Sequence, residues 1–162
     1  HLLFDDVLEL HGVDFSPYLI KIAKVNFERI PEFTFTEIDA ASYVQSEVHP
    51  ERYTKALCYG VFAYLNENDA EAVLRELVRR FRNISTLFIG NLPDRDLAHL
   101  FYQNDIDHTL LLDDPLEAIG IWRSKTQMSD LAQECGWTVD FSVMPEAFYS
   151  SHYRYDVKLT RK

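Results

Sequence analysis

Two aspartates stand at the ends of short apolar runs. Asp14 lies in LHGVDF (residues 10–15), and Asp39 follows FTFTEI (residues 33–38). A carboxylate at the end of a parallel strand can accept both hydroxyls of a ribose diol. Each such bond to a charged acceptor is worth about 1.5–3 kcal/mol. On position alone Asp14 serves equally well as a helix cap before Pro17. Asp39 suits an exocyclic amine such as that of adenine, and as a lone residue it reads first as a solvated loop acid. Tyr59–Phe62 and Asn91–Asp94 occupy corresponding places after later apolar runs.

Other chemistries find less support. None of the six histidines (His1, His11, His49, His99, His108 and His152) sits in an HxH, HExxH or Cys–His pattern, so no metal site is expected. The acids Asp105, Asp107, Asp113 and Asp114, with His108, lack the glycine and glutamate of a calcium loop and read as a solvated stretch. No GxSxG nucleophile elbow is present. Asp94, Arg95 and His99 follow the TLFI run and are placed to meet a substrate. His99 and His108 are the candidate general bases for a hydroxyl acceptor, because imidazole titrates near neutrality.

The elements that must hold these residues are legible from periodicity. Leu2, Leu3, Val7, Leu8 and Leu10 read as the end of a helix. Ser16-Pro17 is a helix start, and apolar residues at helical spacing carry that helix to about Glu28. Phe33–Ile38 alternates as a strand, and a polar stretch follows. Lys55–Tyr59 is a strand ended by Gly60. Ala70–Phe81 is an amphipathic helix with i,i+4 pairs Glu71–Arg75 and Glu76–Arg80. Thr86–Ile89 is a strand stopping at Gly90. Pro93–Leu112 reads as mixed loop and helix over a site rim, and Ser124–Cys135 as a helix closed by Gly136. Trp137–Met144 and Tyr153–Leu159 alternate with no helix between them, so they should pair antiparallel. The order predicts an α/β fold with a mostly parallel sheet, helices on both faces, and one domain over residues 1–162.

Composition narrows the function classes. The chain has 162 residues, 47% hydrophobic and 14% aromatic, enough for one well-packed domain. Sixteen Lys and Arg against 26 Asp and Glu give a net charge of −10, which disfavours phosphate backbones and anionic membranes as partners. The longest apolar run, Ala56–Leu65, is shorter than the roughly 18–20 residues a membrane span needs. The opening residues lack a basic leader region. With Cys58 and Cys135 far apart and expected as free thiols, a cytoplasmic location is expected.

Four segments resemble one family. Gly12-Val13-Asp14-Phe15-Ser16-Pro17 resembles the GVDxS segment of class I S-adenosylmethionine-dependent methyltransferases. Glu37-Ile38-Asp39-Ala40 resembles the GDA segment, with Ile38 in place of glycine. Tyr59-Gly60-Val61-Phe62-Ala63-Tyr64-Leu65 is similar to the segment after the family's fourth strand, and Ser129–Trp137 to the stretch before its last two strands. The resemblance covers essentially the whole chain. It implies a Rossmann-like three-layer sandwich with strand order 3-2-1-4-5-7-6, strand seven antiparallel. It implies S-adenosylmethionine as cofactor: Asp14, Phe15 and Ser16 at the ribose, Asp39 and Ala40 at the adenine, Tyr59, Gly60 and Phe62 around the methionine part. The reaction implied is methyl transfer to an oxygen or nitrogen of a small molecule or sugar. Nothing before Gly12 fits the family's glycine-rich first motif, so the expectation is a domain without its first strand, incomplete at the N-terminus. A non-catalytic interaction module and a nucleotide-dependent oxidoreductase are the alternatives. The sequence leaves the acceptor, any catalytic base and the oligomeric state open.

Overall fold

The computed structural model describes residues 7–102 and 109–162. The chain divides into two compact units between Val48 and His49. The expected N-terminal helix end falls largely outside the described residues, and residues 7–9 are not helical.

The first unit runs β1 (Leu10–Asp14), α1 (Pro17–Phe27), β2 (Phe33–Glu37) and α2 (Ala40–Ser46). β1 and β2 pair in parallel, with Leu10 opposite Phe33 and Asp14 opposite Glu37. Ser16 starts α1 as the spacing predicts: its Oγ accepts the Leu19 N–H at 3.3 Å, and Pro17 occupies the first turn, where no donor is wasted. α2 is a difference from the sequence reading, which has only a polar stretch there. Ala41 and Val44 give this short helix a buried side, and Asp39 caps it.

The second unit contains β3 (Lys55–Tyr59), α3 (Glu67–Arg79), β4 (Thr86–Pro93), α4 (Lys125–Glu134), β5 (Trp137–Val143) and β6 (Arg154–Arg161). Its sheet has the order β3-β4-β6-β5. β3 and β4 are parallel, and β6 runs antiparallel to both β4 and β5. The expected order assigns 3-2 to the pair β2-β1 and 4-5-7-6 to β3-β4-β6-β5, with β6 as the reversed strand. Among the described residues β3 is therefore an edge of its four-stranded sheet, and Cys58, expected from the sequence in a central strand, stands in an edge strand. Only β4 pairs with β3 among the described residues, because the strand that would flank its other edge in the family order has no counterpart there.

The core of the second unit is built by alternation. Leu87 and Ile89 on β4, with Tyr155, Val157 and Leu159 on β6, are at most 2% exposed. The amphipathic face of α3 contributes Ala70, Val73, Leu74 and Leu77. Burying side chains of this size contributes about 1.5–3 kcal/mol each. Trp137 is fully buried at the start of β5, and its indole N–H donates to the Leu74 carbonyl at 3.1 Å. α4 starts with a capping box: Ser124 Oγ accepts the Gln127 N–H at 3.1 Å, and Gln127 Oε1 accepts the Ser124 N–H at 2.9 Å. Arg161 closes the far end of α3. Its guanidinium donates to the carbonyls of Leu77, Val78, Phe81 and Ile84 at 2.7–3.0 Å.

Candidate functional site

Asp14 and Asp39 lie at the same, carboxyl, end of the parallel pair β1–β2. Asp14 is the last residue of β1, and Asp39 stands two residues past the end of β2. The cap on α1 belongs to Ser16, not to Asp14. Asp14 Oδ1 accepts the Ser16 N–H at 2.8 Å, which fixes the carboxylate, and Oδ2 makes no hydrogen bond to another described residue. Asp39 is more occupied. Its Oδ1 accepts the Ser42 N–H at 2.8 Å, capping α2, and hydrogen bonds from Ser42 hold its carboxyl below the usual range. Ala40 opens α2. Phe15 is exposed, and the Ser16 hydroxyl is spent on the α1 cap.

In the second unit, Tyr59 and Gly60 end β3 at the carboxyl rim. Gly60 takes φ +71°, a left-handed conformation that side chains disfavour. Among the described residues other than its chain neighbours Tyr59 and Val61, a Cβ there would have one neighbour within 4 Å, the Asn91 amide nitrogen at 3.6 Å, so the glycine leaves an open place beside its backbone. Phe62 is 1% exposed and packs in the core, so it offers a ligand its backbone at most.

Arg123, which the sequence reading passes over, holds this segment in shape. It is 4% exposed and donates to the carbonyls of Phe62 at 3.5 Å and Leu65 at 2.9 Å. Its guanidinium also lies over the Phe62 ring. It is flanked by a cleft of about 350 Å³ whose walls include Glu67, Glu71, Asp113, Asp130 and Glu134. Among the described residues no three His, Cys, Asp or Glu are placed to hold a metal ion.

The segment after β4 is a compact polar and aromatic platform. β4 does not stop at Gly90, as the sequence suggests. Asn91 forms an irregularity in the pairing with β6, after which Leu92 and Pro93 rejoin it. Asp94 is 4% exposed, and desolvation pushes its carboxyl up. It caps the 3₁₀ helix Arg95–Leu100 and has Lys125 Nζ at 3.8 Å. Arg95 grips Asp113 with two bonds, at 2.5 and 3.0 Å. His99 is exposed on this helix. His108 lies outside the described residues, as do Asp105 and Asp107. Behind the helix, Trp122 stacks on Tyr153, with Ala98 and Leu112 buried against them.

Cys58 and Cys135 are both free thiols. Burial pushes Cys58 up to about 11, which keeps it protonated and unreactive near neutrality. No helix among the described residues is long and apolar enough to cross a membrane.

Each unit, taken by itself, offers a feature that suits a cofactor of the implied kind. In the first, Asp14 keeps one carboxylate oxygen without a hydrogen bond to another described residue at a strand end; in the second, Gly60 leaves a place that a Cβ would fill. Comparisons with known proteins bear on the fold. No protein-family model matches the chain. No curated protein matches it. Solved structures do. The methyltransferase domain of bacterial CtHen1-CN is 19% identical with a TM-score of 0.65, over 98% of this chain and 82% of that one. Magnesium protoporphyrin IX methyltransferase (ChlM) from Synechocystis, with bound SAH, is 16% identical with a TM-score of 0.62, over 95% of this chain and 64% of that one. A TehB-like SAM-dependent methyltransferase from Corynebacterium glutamicum is 17% identical with a TM-score of 0.60, over 95% and 68%. Strand order, the reversed β6 and these likenesses agree: the chain has the class I S-adenosylmethionine-dependent methyltransferase fold.

Proposed function

We propose that the protein binds S-adenosylmethionine and directs methyl transfer to an oxygen or nitrogen of a small molecule or sugar. The observation that carries this reading is Asp14: a carboxylate at the end of β1, pinned through Oδ1 and open through Oδ2. A ribose diol satisfies such a group, at about 1.5–3 kcal/mol per bond. Asp39, oriented by its Ser42 bond, accepts the exocyclic amine of the adenine, and the Ala40 backbone adds to that contact. Tyr59, Gly60 and the Phe62 backbone border the methionine part.

When bound, the cofactor supplies an electrophilic methyl group on a sulfonium. The protein's own work is alignment and exclusion of water, which good geometry makes worth about 7–11 kcal/mol. His99, exposed after β4, takes the proton where the acceptor is a hydroxyl. The net charge of −10 opposes a polyanionic acceptor. Calorimetric titration with S-adenosylmethionine, and separately with NAD, tests the reading. Heat of binding with the first and none with the second is expected, and the reverse would make the protein a nucleotide-dependent oxidoreductase.

A further inference from the structure

Asn91 is held in an unusual way. It is a non-glycine residue with φ +67°, and it sits where the β4–β6 register shifts. Asparagine tolerates the left-handed region better than most residues, but the conformation persists only where surroundings fix it. Here they do. The Asn91 N–H donates to Asp156 Oδ1 at 2.7 Å, and its carbonyl accepts from Arg154 Nη1 at 2.8 Å. Both partners come from β6, and both bonds involve a charged group, the stronger kind.

The side chain is treated differently from the backbone. Its carboxamide makes no hydrogen bond to another described residue, although Asn91 is half-buried. Among the described residues other than Tyr59 and Val61, its nitrogen is the nearest heavy atom to the place a Cβ of Gly60 would take, at 3.6 Å. A bulge re-aims a side chain and recurs beside active sites. This one aims an unspent donor–acceptor pair at the open side of Gly60. A ligand seated against the Gly60 backbone therefore comes within reach of the Asn91 amide. An amide offers N–H donors to a carboxylate and a carbonyl to an ammonium, so it matches an α-amino acid group at either end.

We infer that Asn91 is a binding residue for the amino-acid end of S-adenosylmethionine. This rests on the proposed cofactor and extends it to a residue outside the four resembling segments. The test compares two ligands by calorimetry on the whole chain: S-adenosylhomocysteine, and 5′-methylthioadenosine, which lacks the amino-acid group. Asn91→Gly keeps the backbone conformation and deletes the amide. Asn91→Asp keeps the shape and sets a carboxylate against the ligand's own. Both variants are expected to bind S-adenosylhomocysteine roughly tenfold or more weakly, with Asn91→Asp the worse, while methylthioadenosine changes less than about twofold. Equal losses for both ligands, or none for either, would overturn the role of Asn91. Absence of S-adenosylhomocysteine binding by the unaltered chain would instead overturn the cofactor reading beneath it. Circular dichroism on each variant separates lost contact from lost fold.

Discussion

The ring of Tyr59 lies across Gly90, its register partner on β4, so closely that a Cβ at Gly90 would collide with the ring. Phe88 closes in from the same side, its Cε1 2.9 Å from that position. The carboxyl rim of β3–β4 thus pairs residues in opposite senses: a large ring over Gly90, and the Asn91 amide beside Gly60. Gly90→Ala should force the Tyr59 ring outward and cost about 1–2 kcal/mol, in the range of overpacking changes. Urea denaturation would read this, and Tyr59→Ala in the same chain should recover part of the loss. Additive losses in the double variant would show that the two do not compete for space.

Arg161 is a second long-range device. Four carbonyls at and beyond the end of α3 converge on its guanidinium. These are groups that a helix terminus leaves without partners, and a cation there also meets the negative pole of the helix. Arg161→Ala should destabilise the protein by about 2–4 kcal/mol, since buried acceptors lose charge-assisted bonds together. Arg161→Lys should recover only part of this, because an ammonium cannot span the same fork. Thermal unfolding of both variants checks the order.

The Arg95–Asp113 pair makes a pH prediction. Arg95 bonds hold the Asp113 carboxyl below its ordinary value. A carboxyl depressed in the folded state stabilises the fold above the unfolded value, about 3.9, and that contribution is lost as pH falls through the folded value. The Asp113 side chain is 65% exposed, so the effect is discounted for solvent. Asp113→Asn should lose about 0.5–1 kcal/mol near neutrality, with the gap to the unaltered chain closing as pH falls through the folded value. A gap that persists there would assign the loss to packing.

Local chemistry was what the sequence made readable. Ser16-Pro17 announced α1 because a helix start needs particular side chains at fixed offsets, and Gly136, with its positive φ, marked the end of α4. β3 was legible to the residue because Gly60 ends it with a positive φ. α2 was not, because its seven residues are mostly polar and its cap, Asp39, also suits a ligand. The continuation of β4 was hidden by Gly90-Asn91, which looks like a strand stop and is a bulge whose conformation depends on Asp156 and Arg154, more than 60 residues later. A glycine inside an apolar run is the signal that could have marked it. Arg123 and Arg161 had no local signal, since their partners are carbonyls distant in sequence. Among the candidate site residues, Asp14 and Asp39 were found at one rim by their place after alternating runs. Phe62 was legible as part of a motif, but its burial was not.

The central claim is that Asp14 binds the ribose of S-adenosylmethionine, and one titration tests it most directly. S-adenosylhomocysteine is titrated into the unaltered chain and into Asp14→Ala, with circular dichroism confirming that both are folded. Losing two bonds of about 1.5–3 kcal/mol each should weaken binding well over tenfold, at about 1.4 kcal/mol per factor of ten. That loss is expected with the fold intact. Unchanged affinity in Asp14→Ala would contradict it, leaving Asp14 as no more than the carboxylate that orders the Ser16 turn.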